Sequence, residues 1–147
     1  PHWDPYVRGM IMGITRGAKK AHLVRATLEA IVYQTKEVVD VMAADAQIPL
    51  AELKVDGGAS VNNFICQFLA DMTTVTVQRP QVFETTALGA AYLAGLAVGF
   101  WDSQDDIRRR WQAHGVYTPS MKPGDRLRLY QGWSKAVASA KGWVSDD

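Results

Sequence analysis

Residues 55–63, Val55-Asp56-Gly57-Gly58-Ala59-Ser60-Val61-Asn62-Asn63, form the segment whose residue types and spacing are best suited to chemistry. Two glycines follow an apolar run and precede a helical one. A strand-to-helix turn without β-carbons lets the backbone approach a ligand closely, and the next helix aims its N-terminal amides and positive dipole end at it. A nucleotide suits such a turn. Asn62 adds an amide that both donates and accepts hydrogen bonds. On spacing alone a plainer reading comes first, a tight turn with Asn62 or Ser60 capping the helix. The segment is neither a Walker loop nor a full dinucleotide fingerprint.

The remaining side chains exclude more than they offer. Cys66 stands alone, so it forms no intrachain disulfide and has no metal-ligand spacing; among Phe64, Ile65 and Phe68 it reads as a buried structural thiol. His2, His22 and His114 are scattered, and no metal site is expected. Asp4, Asp40, Asp45 and Asp71 have no partner arrangement for general-base work, so no catalytic residue is assigned. A formal charge of +1 gives no electrostatic reason for nucleic acid or an anionic membrane as partner. Arg108-Arg109-Arg110 reads as a solvated face.

These residues need elements to hold them. The chain has 147 residues, 48% hydrophobic and 21% charged, which fits one soluble domain with a real core. Residues 8–15 read as extended. Residues 20–44 carry Leu23, Thr27, Ile31, Gln34, Val38 and Val41 at helical spacing, with Ala26 and Ala30 on the same inward face. A short strand at 53–55 enters the glycine turn, and a helix over 61–72 points Phe64, Ile65, Phe68 and Leu69 inward. The alternating run 74–79 reads as a strand ended by Pro80. Thr85 or Thr86 then caps a helix whose Ala87, Gly89, Ala90, Ala91, Ala94 and Gly95 would let it pack closely on a sheet. This order predicts an α/β fold with parallel strands flanked by helices. From Asp102 the sequence predicts a charged loop, then Tyr117-Thr118-Pro119, then a helix over 124–143 packed on the outside. The organisation is read as 1–101 and a tail, 102–147. No membrane span is expected, because the longest apolar stretch, 86–101, is too short and too rich in Ala and Gly. The start lacks both a signal-peptide pattern and an initiator Met; opening on Pro1, it reads as a cut inside a longer protein.

Three segments together are more specific than any one. The opening PHWDPYVRG with GITRGAKKAHLVRATLEAIVYQT, the central LKVDGGASVNNF and the run ETTALGAAYLAGLAVGFW resemble the C-terminal domain of the FGGY carbohydrate kinases. That family has the actin and hexokinase fold, so the resemblance implies a ribonuclease-H-like α/β domain fragment plus a helical C-terminal tail. It covers the first two-thirds of the chain closely and the tail more loosely, anchored at Tyr130-Gln131-Gly132-Trp133. The WDP opening and the AGLAVGFW ending resemble the glycerol-phosphorylating branch rather than the pentulose kinases.

The resemblance implies an ATP- and Mg2+-dependent cytoplasmic kinase acting on glycerol, and a homo-oligomer. It also implies that Gly58 and Asn62 contact the nucleotide while Gly57 and Ala59 shape the turn. Asp56 would hold the turn or a ribose-side water, or simply cap the loop. The family's polyol-binding residues, general base and phosphate-gripping hairpin lie upstream of the matched region, so the chain alone is expected to be inactive. Its partner would be that missing N-terminal part, and without it the edge of the strand ending at Val55 would lie open. One departure is Asp71-Met72-Thr73-Thr74, where the family has aspartate, two apolar residues and glycine; altered geometry is expected at that helix end. A pentulose kinase and a stand-alone nucleotide-binding module are the alternatives.

Overall fold

The computed structural model describes residues 2–144. Pro1, the supposed cut, and the last three residues of the expected tail lie outside them. Five helices and three strands follow in the order α1 (Lys20–Ala46), β1 (Glu52–Lys54), α2 (Asn63–Thr73), β2 (Thr76–Pro80), α3 (Thr85–Ala97), α4 (Gln104–Arg110), β3 (Ala113–Tyr117) and α5 (Pro123–Ala140), with a short 3-10 helix at Gly58–Val61.

The sheet order is β1-β2-β3. β1 runs parallel to β2, with Leu53 opposite Val77. β3 is antiparallel to β2, with Val77 opposite Tyr117, and the register slips at Arg79/Pro80. The sheet is therefore mixed, which corrects the expectation of parallel strands alone. Pro80 is the last residue of β2, so the strand ends there as expected, and the register slip beside it accommodates a residue without an N–H. The tail does more than pack outside, because it supplies β3. β1 is an edge strand, as expected.

The core is built on α2. Ile65, Cys66, Phe68, Leu69, Ala70 and Met72 are buried between Val77 of β2 and Val32 and Tyr33 of α1. Tyr33 meets Phe68 edge-on at 5.5 Å and stacks on Trp133 of α5 at 5.3 Å. The expected α1 face is wrong: Leu23, Ile31, Val38 and Val41 are exposed, and Leu28, Val32 and Tyr33 face the core. α1 is apolar on two sides, so periodicity did not say which side meets α2.

Three further expectations change. Residues 8–15 form no strand. α3 has no buried residue and Leu93 is 69% exposed, so its small residues do not pack on the sheet. Gly95 instead admits Trp101, whose Cδ1 would lie 2.5 Å from an added β-carbon. Neither Thr85 nor Thr86 caps α3; Glu84 holds the cap position without a side-chain bond. The expected charged loop is α4, capped by Ser103 Oγ, which accepts from Asp106 N at 3.2 Å. Asp105 and Asp106 lie in its first turn and the three arginines in its last, matching the helix dipole. The arginines are exposed and paired with those aspartates, as a solvated face.

Two buried carboxylates bind the tail. Asp71 Oδ1 accepts from Ser120 N (2.6 Å), Met121 N (3.0 Å), Ser120 Oγ (3.2 Å) and Gln67 Nε2 (3.2 Å). Glu37 Oε1 accepts from Trp133 Nε1 at 2.9 Å and lies 3.1 Å from His2 Nε2. α2 ends where Thr74 turns left-handed, φ 61°, with its N–H donating to Ala70 O at 2.9 Å. Thr74 stands where the family has glycine and takes the left-handed conformation that glycine adopts most readily.

Candidate functional site

The glycine turn leaves β1 and is set by one backbone angle. Gly57 has φ 78°, a region where a β-carbon is strained, and its N–H donates to Phe83 O (3.2 Å) on the β2–α3 connection. Gly57 O then accepts from Ser60 N at 3.1 Å and Ser60 Oγ at 2.7 Å, closing the 3-10 helix. The first amides of that helix, at Gly58 and Ala59, have no acceptor within it. Gly58 and Ala59 are exposed, and nothing lies within 4 Å of a β-carbon placed on Gly58. A ligand can therefore lie against bare backbone there.

Asn62 is the N-cap of α2. Its Oδ1 accepts from Phe64 N at 2.9 Å and Ile65 N at 3.4 Å. Its Nδ2 has no partner among the described residues, so the two halves of the amide divide the two readings of the sequence. The oxygen does the capping and the nitrogen is left to donate. Ser60 closes the turn and is not the cap. The structure thus brings Gly57, Gly58, Ala59 and Asn62 into one turn, with exposed Asp56 at its entry.

Sequence reasoning missed the group beneath the turn. Arg79 of β2 is 7% exposed, and its Nη1 lies 3.0 Å from Ser60 O, 3.0 Å from Val61 O and 2.9 Å from Asn63 Oδ1. Tyr117 Oη of β3 donates to the same Asn63 Oδ1 at 2.7 Å. A signal was available: the two-residue period of β2 puts Arg79 on the face of fully buried Val77, and an inward arginine must find acceptors. Cys66 Sγ donates to Ser60 O at 3.1 Å, and burial pushes this thiol up, which fits a structural role. Among the described residues, no three His, Cys, Asp or Glu side chains converge as metal ligands. No described helix is long and apolar enough to cross a membrane.

A ribonuclease-H-like α/β fragment with this turn defines a class, and direct comparison agrees. Residues 1–98 match the C-terminal domain of the FGGY family of carbohydrate kinases, and the chain belongs to that family. Within it the chain is 55% identical over 146 residues to glycerol kinase of Petrotoga mobilis and 56% identical over 146 to glycerol kinase of Caldanaerobacter subterraneus. Each alignment takes in 99% of this chain, which spans 29% of each relative's length. The fold superposes on the crystal structure of Plasmodium falciparum glycerol kinase with ADP at a TM-score of 0.84 and 35% identity, covering 96% of this chain and 28% of that one.

Proposed function

We propose that this chain supplies the adenosine side of the ATP site of a kinase that transfers the γ-phosphoryl group to a terminal hydroxyl of glycerol. The observation that carries the reading is the Gly57–Asn62 turn. Gly57 holds the bend, Gly58 and Ala59 offer bare backbone and unpaired amides, and Asn62 Nδ2 donates to the adenosine. ATP, when bound, supplies the activated phosphoryl group and its charge. The residues here bind and orient its nucleoside end, so that the transfer depends on positioning.

We assign no Mg2+ ligand, polyol contact or general base to this chain. Those roles fall to the remaining length of the kinase, and the chain alone would be inactive. In this reading residues 1–101 are part of the ATP-binding domain and 102–147 a tail on the same domain, within a cytoplasmic homo-oligomer. The exposed stripe of α1 (Leu23, Ile31, Val38, Val41), the bare sides of α3 and the open edge of β1 would pack against that remainder. The isolated chain is accordingly expected to self-associate. A sharp monomer by light scattering at high concentration would count against this packing.

The deciding experiment measures initial rates of the full-length protein with ATP and a panel of polyols and ketopentoses. A kcat/KM for glycerol that exceeds every ketopentose by about two orders of magnitude, roughly 3 kcal/mol of transition-state discrimination, supports the reading. The reverse preference places the protein with the pentulose kinases. ADP binding without any phosphoryl transfer would make it a nucleotide-binding module.

A further inference from the structure

We infer that Arg79 is a positioning residue for nucleotide binding, and that Tyr117 of the C-terminal strand shares this task. The inference rests on the adenosine reading of the turn. Asn62 is the side chain assigned to the ligand, and its neighbours on both sides are held by one guanidinium. Arg79 Nη1 fixes Ser60 O and Val61 O before it and Asn63 Oδ1 after it. The three oxygens converge within 3.0 Å of one nitrogen, so one of its two N–H groups is shared. Two backbone carbonyls and a side-chain amide would otherwise repel one another at this spacing. A cation between them stabilises the arrangement, and the length of the arginine side chain carries Nη1 to all three oxygens, while the buried Nε finds no partner among the described residues.

Arg79 is itself braced. Phe83 and Tyr117 flank its guanidinium carbon with ring centroids at 5.8 and 5.5 Å. Phe83 also accepts the Gly57 N–H through its carbonyl, so both ends of the turn are tied to the β2 side of the sheet. Tyr117 Oη supplies a second bond to Asn63 Oδ1. β3 thereby reaches the turn from residues that follow the matched family segment, 1–98. None of these groups lies on the bare outer side of Gly58, so they act on the nucleotide through the turn's shape and not by contact.

The test uses the full-length protein with Arg79→Lys, which keeps the charge on a shorter side chain and draws the donor nitrogen back from the three oxygens, and Tyr117→Phe, which removes one hydroxyl. Four quantities are read: KM for ATP, kcat, KM for the polyol, and Kd for ADP by calorimetry. For Arg79→Lys the expected result is a KM for ATP and a Kd for ADP raised about tenfold, with kcat within about twofold and the polyol KM unchanged. For Tyr117→Phe, a rise of about threefold in the same two constants is expected. A merely structural role would lower thermal stability and active fraction while leaving these constants alone, and that result overturns the inference. If Arg79→Lys does not fold, Tyr117→Phe decides alone, and a wild-type Kd for ADP in that variant refutes the proposal. Failure of the wild-type protein to bind ADP would instead overturn the adenosine reading, and the role of Arg79 would fall with it.

Discussion

Replacing Thr74 by glycine should stabilise the protein, although it removes side-chain atoms. Thr74 adopts φ 61° and ψ 23° at the end of α2. For an L-residue this left-handed conformation costs roughly 1–2 kcal/mol, and β-branching gives no relief. The side chain is exposed and makes no hydrogen bond among the described residues, so its removal loses little. The backbone bond to Ala70 O survives. Against the relief stands the greater freedom of glycine in the unfolded chain, about 0.5–1 kcal/mol. The net expectation is a gain of about 0.5–1 kcal/mol. Urea unfolding should show a higher midpoint with an unchanged slope, and the melting temperature should rise by roughly 1–4 °C. Thr74→Ala should recover a smaller part, since it keeps the β-carbon. A Thr74→Gly midpoint equal to or below wild type would refute the strain argument and show that the threonine side chain does something the geometry does not reveal.

Three other perturbations follow from the packing. Asp71→Ala should cost about 1.5–3 kcal/mol, because two part-buried backbone N–H groups lose a charged acceptor, and amide exchange at Ser120 and Met121 should accelerate; protection left at wild-type levels would remove Asp71 as the tail's anchor. Burial, reinforced by nearby Glu29, pushes the Tyr33 hydroxyl up to about 12. The folded pKa is the raised one, so its contribution is complete below about pH 10, the unfolded value, and is lost as pH rises through about 12. Tyr33→Phe should therefore flatten the loss of stability between those limits, and parallel wild-type and variant curves would contradict the assignment. Gly95→Ala should push a β-carbon into Trp101, cost about 1–3 kcal/mol and shift the Trp101 indole N–H resonance; an unmoved resonance would mean that the indole does not sit there.

What was legible in the sequence divides along physical lines. The glycine turn, the long helix and the β-branched strand were readable because each is a local preference: positive φ at Gly57, helical spacing from residue 20, alternation at 74–79. Direction was not. α1 offers apolar side chains on both Leu23–Ile31 and Leu28–Val32 sides, and only the position of α2 selects between them. The segment Ala113-His114-Gly115-Val116-Tyr117 has no strand signature of its own and becomes β3 by pairing with β2. Within the site, Gly57 and Asn62 were visible as types at a spacing. Arg79 was not, because its meaning depends on which carbonyls lie beneath the turn, some 18 residues away in sequence.

Glu37 has a consequence for how the protein comes off the ribosome. Its carboxylate is satisfied by the indole of Trp133, 96 positions later in the chain. At about 5–20 residues per second, α1 waits roughly 5–20 s between emerging and meeting that partner. During this interval α2 can already cover Val32, while Tyr33 lacks its stack on Trp133 and Glu37 lacks its indole donor. The packing of α1 is therefore finished only when α5 has been made.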